Sequence, residues 1–383
     1  MQQIIKAKYI VLENEVLENH YLVVEDGKFK ACVDTLPDNS DVIDYGDAYI
    51  SAGLVDTHIH GYKNADIMDA DPEGLQTIAN GIVENGVTSW LPTTLTASVE
   101  QLDRACQVIG ENADKITGAK VQGIFLEGPY FTEKYKGAQN KDYMSDPSIE
   151  QLLKWQELAN GLIKKIAIAP ERNGVKEFIE VAKENGIYVA LGHSDATYFQ
   201  ASQAVENGAN IFVHTFNGMR GLHHREPGMV GAALNLNDVY AEVIADGFHL
   251  HPAVIQLIVK TRGTDETVLI TDCMRAGGMP DGRSTLGEFD VIVQDGMARL
   301  ASDGNLAGSI LKMIDGVKNV VNWGIVSLPD ALRMASLNPA KSVGIDNVCG
   351  KIEAGYAADF IVVTPEADLL ATYIDGEAKY LKV

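Results

Sequence analysis

From about Tyr49 onward, apolar and polar positions follow two alternating rhythms. Short β-rich apolar runs are separated by longer stretches in which apolar residues recur at helical spacing, the pattern of βαβ units around a parallel sheet. Eight runs stand out: Tyr49 to Gly61, Val87 to Thr94, Val121 to Pro129, Lys164 to Glu171, Ile187 to Asp195, Ile211 to Gly218, Tyr240 to His249 and Thr267 to Met274. Between them, stretches such as PEGLQTIANGIVENG and VKEFIEVAKENG carry a terminal Gly suited to a helix C-cap. Eight strand–helix repeats predict an α/β chain folded as a (β/α)8 TIM-type barrel. An open doubly wound sheet would call for a Gly-rich phosphate loop after the first strand, and THIHGYKNAD is not one.

The two ends of the chain alternate with a period of two instead, as short antiparallel strands do. Residues 1–48 and 347–383 are therefore expected to combine into a small β-sandwich domain, leaving 49–346 as the barrel.

Composition narrows the surroundings. A chain of 383 residues, 46% hydrophobic and 22% charged, can bury a barrel core and a small accessory domain. The opening MQQIIKAKYIVLENEVLENHY lacks the apolar core of a signal peptide, and no run approaches the roughly 20 apolar residues that span a bilayer. Cys32, Cys106, Cys273 and Cys349 are scattered without a CxxC pair, which argues against a disulfide framework or a thiolate zinc site and fits a reducing cytoplasm. A formal net charge of −22 makes nucleic acid and anionic membranes poor partners. A small anionic ligand would need a local cationic pocket.

Imidazoles and carboxylates gather where the apolar runs end: His58 and His60, Glu127, His193, His214 and Asp272. In a barrel these ends converge on one face. His58 and His60, two apart on a strand, point to the same side and can share a cation; the bland alternative, two interior histidines, would need polar partners in layers ruled by Val, Ile and Leu. Glu127 ends a buried run, where an unpaired carboxylate is costly unless a cation compensates. His193 and His214 taken singly could be satisfied core histidines, but with Glu127 they make a His2Glu set suited to a catalytic metal with one open position. Asp272 could be a helix cap; beside a metal it is placed to act as general base and then acid. The segment MRGLHHREPG, with Arg220, His223, His224 and Arg225, is a solvated loop or the cationic grip that an anion requires.

Taken together, the pattern resembles the amidohydrolase superfamily and, more narrowly, the N-acetylglucosamine-6-phosphate deacetylase family. The segments DTHIHG, LEGPYFTEKYKGAQN, GHSDAT, VHTFNGM, REPG, DGFH, TDCMRAGG, LAGSILKM and GKIEAGYAADF occur in that family's order across the whole chain. The resemblance implies metal-dependent hydrolysis of the N-acetyl group of N-acetylglucosamine 6-phosphate to glucosamine 6-phosphate and acetate, in amino-sugar metabolism. It implies that Glu127, His193 and His214 hold the tighter of one or two divalent metals, with zinc first and iron, manganese or cobalt as alternatives. Asp272 becomes the acid/base. Asn217, Gly218 and Arg225 become the phosphate site, with His249 on the sugar or its phosphate. Ala138, Gln139, Leu306, Ala307 and Gly308 would line the N-acetyl sugar. The family's homodimers share the phosphate pocket between subunits, so Arg225 or His249 is expected to act across the interface. Some members have a histidine where this chain has Gln139, and some replace the HxH pair kept here as His58 and His60. Rival readings are another amidohydrolase, such as a cyclic amidase or base deaminase, and a non-catalytic assembly protein of the same fold.

Overall fold

A computed structural model describes residues 2–37 and 40–382. Eight parallel strands form its centre: β1 (Leu54–Ile59), β2 (Val87–Thr94), β3 (Ile124–Tyr130), β4 (Ile163–Ile168), β5 (Tyr188–Leu191), β6 (Ile211–Phe212), β7 (Tyr240–Ile244) and β8 (Thr267–Ile270). Each pairs with the next in parallel register. The ring closes just past the strand ends, where Ile59 bridges Cys273 and the Asp272 amide donates to the His58 carbonyl at 2.8 Å. Eight helices follow the strands in turn: α1 (Pro72–Val83), α2 (Val99–Asn112), α3 (Ile149–Leu158), α4 (Val175–Glu184), α5 (Tyr198–Asn207), α6 (Gly228–Asn235), α7 (Pro252–Arg262) and α8 (Met313–Asn322). Their starts obey local chemistry. Asp71 caps α1 by accepting from the amides of Glu73 and Gly74, with Pro72 at the first turn, and Ser98 and Gln101 form a capping box on α2.

The run from Tyr49 to Gly61 is two strands, not the single one its pattern suggests. Tyr49–Ala52 joins a terminal sheet and only Leu54–Ile59 enters the barrel. The break falls at Gly53, where a Cβ would lie 2.1 Å from the Thr88 hydroxyl, so only glycine lets the chain pass that close. Tyr9–Val11, Val16–Glu18 and Tyr49–Ala52 pair with Phe360–Val363, Leu369–Ile374 and Glu377–Leu381 in one six-stranded sheet. A four-stranded sheet from residues 2–44 faces it. Ile5, Leu22, Phe29, Ile50, Phe360 and Tyr373 fill the space between the two sheets, so both chain ends share one core. This is the small β-sandwich that the terminal alternation predicts.

One further sheet was not anticipated. Gly282–Leu286, Phe289–Gln294 and Met297–Leu300 form a three-stranded antiparallel insert between β8 and α8. Its second turn is Asp295-Gly296, both at positive φ (53° and 80°), the two-residue hairpin turn that this dipeptide favours. Its inner face packs Leu286, Val291 and Leu300 against Leu95, Ala138 and Met274, which hangs the insert over the open end of the barrel. Among the described residues, no helix is long and apolar enough to cross a membrane.

Candidate metal centre and substrate cavity

The strands stop before the residues that carry chemistry. β5 ends at Leu191, β6 at Phe212 and β8 at Ile270, and the turns that follow hold His193, His214 and Asp272 at positive φ of 44°, 29° and 50°. A non-glycine residue is held there only when its surroundings fix it, and such positions concentrate at functional sites. Here the turn aims each side chain inward across the barrel mouth. His58 and His60 reach the same place from the end of β1, and Glu127 from within β3.

Two groups of ligand-type atoms result, each compact enough for a single cation: Glu127 with His193 and His214, and His58 with His60 and Asp272. All six side chains are buried. In the first group, Glu127 Oε1 lies 3.2 Å from His214 Nε2 and 3.4 Å from His193 Nε2, and the two Nε2 atoms are 3.1 Å apart. In the second, Asp272 Oδ1 is 3.2 Å from His60 Nε2 and 3.5 Å from His58 Nε2. Glu127 stands between the groups, with Oε1 3.3 Å from His58 Nε2 and Oε2 3.3 Å from His60 Nε2.

The tautomers show what this cluster is suited to hold. His60 Nδ1 faces the Thr93 carbonyl at 3.2 Å, His193 Nδ1 the Tyr135 carbonyl at 2.9 Å and His214 Nδ1 the Asn217 carbonyl at 3.1 Å. A carbonyl oxygen only accepts, so each Nδ1 carries a proton, and each ring turns Nε2, the nitrogen left to bind a cation, toward the carboxylates. The buried Nε2 of His58 has no hydrogen-bond partner at all. Lone pairs and carboxylate oxygens converging in a buried space need a positive charge, and orientation of imidazole ligands through their far nitrogen is the usual supporting arrangement at a metal. The residues present therefore fit one or two divalent cations of the borderline kind that imidazole and carboxylate both suit.

Over this floor opens a cavity of about 490 Å³, lined on one side by Ala138 and Gln139, on another by Asn217, Gly218 and His249, and roofed by Leu286, Arg299, Leu306 and Gly308. His249 is held by Asp246, whose Oδ2 is 2.6 Å from His249 Nδ1. Ala307 lies fully buried behind the roof. Arg225 is exposed, 2.8 Å from His224 and away from this cavity, and Arg220 is spent on Asp195 at 2.7 Å. The cationic side chains that do line it are Lys134 and Arg299.

Residues 49–379 match the amidohydrolase family. The chain belongs to that family. Among this amidohydrolase's relatives, N-acetylglucosamine-6-phosphate deacetylase of Vibrio furnissii is 42% identical over 88% of the chain and 84% of its own length. N-acetylgalactosamine-6-phosphate deacetylase of Escherichia coli O157:H7 is 37% identical over 98% and 99%. Among solved structures, N-acetyl-D-glucosamine-6-phosphate deacetylase from Mycobacterium smegmatis, an Asp-to-Ala variant in complex with N-acetyl-D-glucosamine 6-phosphate, superposes with a TM-score of 0.94 at 30% identity, covering 99% of each chain.

Two buried charges at the centre of this amidohydrolase escaped the sequence reading. Glu242 on β7 lies 3.2 Å from His58 Nδ1, and Lys165 on β4 pairs with Glu242; both are fully buried. Burial opposes the ionisation of Glu242, but the ammonium of Lys165 and the imidazole of His58 outweigh it and hold the carboxyl below its ordinary value. The available signal was the single charge inside the apolar run YAEVI and the two adjacent lysines inside IKKIAI, of which one must face inward.

Proposed function

We propose that this chain deacetylates N-acetylglucosamine 6-phosphate, releasing acetate and glucosamine 6-phosphate. The observation that carries the reading is the position of Asp272: its Oδ1 is 3.2 Å from His60 Nε2, on the floor of a cavity that also exposes Glu127, His193 and His214. Relatives that cover nearly the whole chain carry this activity in their names. Glu127, His193 and His214 would hold a divalent metal, with His58, His60 and Asp272 as a second position, and the metal would supply Lewis-acid activation of water and of the acetamide carbonyl. Zinc is the first candidate, before iron, manganese or cobalt.

Asp272 takes the proton of the attacking water and hands it to the departing amine as the C–N bond breaks. Burial opposes its ionisation, but the imidazoles of His58 and His60 outweigh that and keep it a carboxylate, the form a base needs. Ala138, Gln139, Leu306 and Gly308 bound the acetylated end of the sugar, with Ala307 shaping the wall behind them. Asn217, Gly218 and His249 receive the phosphate. Arg225, turned to the surface, serves the cavity of a second subunit in a cytoplasmic homodimer, and residues 1–48 with 347–383 form the accessory domain to a barrel of 49–346.

The test is acetate release from N-acetylglucosamine 6-phosphate, its C4 epimer N-acetylgalactosamine 6-phosphate and unphosphorylated N-acetylglucosamine, with metal content measured on the same sample. Preference for the first substrate is expected. Preference for the C4 epimer would move the assignment to the activity named for the Escherichia coli relative. A metal-loaded chain inert on all three, or one that turns over a hydantoin or adenine instead, would overturn it.

A further inference from the structure

Beneath the cavity floor, the Lys165–Glu242 ion pair crosses a barrel interior where apolar packing is the rule. Burying two charges is expensive, and apolar residues of similar volume commonly serve a fold as well. The geometry of this pair is specific. Lys165 Nζ contacts Glu242 Oε1 and lies 3.8 Å from the centre of the Phe125 ring, while the other carboxylate oxygen, Oε2, faces His58 Nδ1 at 3.2 Å. One oxygen thus serves the ammonium and the other the imidazole. Beyond that imidazole, Nε2 points at Asp272 and Glu127.

We propose that Glu242, held in place by Lys165, is a positioning residue that fixes the tautomer of His58 and so makes the second metal position usable. This rests on reading His58, His60 and Asp272 as a metal position. The reasoning is one of donors and acceptors. An ammonium only donates, so Lys165 always claims an acceptor. With a carboxylate at 242, both oxygens accept, His58 must donate from Nδ1, and its Nε2 lone pair is free to bind a cation. In Glu242→Gln, Lys165 takes the single amide oxygen and the NH2 turns to His58. Nδ1 must then accept, the ring proton moves to Nε2, and the ligand is lost. Removing the ammonium as well, in Lys165→Met/Glu242→Gln, lets the amide rotate, returns its oxygen to Nδ1 and restores the ligand.

The experiment titrates metal-free wild type, Glu242→Gln and the double variant with zinc alone against a competing chelator. Wild type is expected to take two equivalents per chain. In Glu242→Gln the first equivalent should be weakened far less than the second, because the side chain of residue 242 bonds only Lys165 and His58 and reaches Glu127 only through His58 Nε2, 3.3 Å from Oε1, and its retention also reports an intact fold. The second should weaken about 10–100-fold. The double variant should recover most of that loss. A second equivalent unchanged in Glu242→Gln would overturn the proposal, as would a double variant no better than the single one, which would leave the pair a structural feature. A wild-type chain that takes only one equivalent would remove the second position itself, and the proposal with it, before any variant is made.

Discussion

Both oxygens of Glu127 are committed, and Gln139 is what divides them. Oε1 faces His58, His193 and His214, while Oε2 accepts from Gln139 Nε2 at 2.6 Å; the Gln139 Oε1 in turn accepts from the Thr96 amide at 2.9 Å. Gln139 therefore acts on Glu127 in this structure and stitches β3 to the loop after β2. Gln139→Ala strands the buried Thr96 amide, which costs about 1–3 kcal/mol, and frees Glu127 to turn. Denaturant unfolding should show that loss, accompanied by weaker metal retention; a variant as stable as wild type would contradict the bond network. Asp272 has a different signature. Asp272→Asn keeps the shape but cannot take a proton, so kcat should fall about 10²–10⁴-fold while Glu127, His193 and His214 keep their metal. Turnover near wild type in the metal-loaded variant would remove Asp272 from its role. Glu127 and Asp272 were legible because each closes an apolar run in a residue type that such a run does not otherwise tolerate, whereas Gln139 entered only through the family resemblance. Glu242 and Lys165 were not legible, because a single charge within a strand reads equally well as its outward face and the adjacent Lys164 and Lys165 leave open which of the two faces in, and only barrel closure decides which face is inside.

At the scale of the element, the turns after the strands do the positioning. Gly218 follows β6 at a φ of +61°, and a Cβ there would lie 2.8 Å from His193 Nδ1. Gly218→Ala must therefore either strain the turn or push the imidazole off the Tyr135 carbonyl, since both the backbone and the space demand glycine. The expected result is a drop in affinity for the first metal equivalent of about 10–100-fold, read by chelator competition; unchanged affinity would mean the ring has room to move. The eight runs named the eight barrel strands, yet in several cases the run outlasted the strand. Ile211 to Gly218 yields only Ile211–Phe212, because the chain turns at His214 and Phe216, both at positive φ. Apolar character continues past the last ladder bond since those turns are themselves buried, and hydrophobic pattern cannot separate a buried turn from a strand. The roofing insert was missed for the opposite reason: its strands alternate, but they interrupt a βα repeat in which a helix was due.

For the molecule as a whole, the convergence of four imidazoles and two carboxylates ties stability to pH in a direction that depends on the metal. In the metal-free chain, burial disfavours a charged imidazole, but the carboxylates of Asp272 and Glu127 outweigh it. They push His58 from its ordinary 6.5 up to about 9 and His60 up to about 10. A folded-state pKa above the unfolded one adds stability that is complete below about 6.5 and fades as pH rises through the folded values. The metal-free chain should therefore melt at progressively lower temperature between pH 6.5 and 9. A bound cation replaces those protons, so acid competes with it and its hold tightens as pH rises. The stabilisation it confers, about 2.7 kcal/mol at one hundred times its Kd, grows with that affinity. Paired calorimetric scans of metal-free and metal-loaded protein should accordingly show a gap in Tm that widens from pH 6.5 to 9. A gap that stays constant or narrows over that interval would mean that protons and metal do not share these lone pairs, and the two clusters would lose their reading as cation sites together.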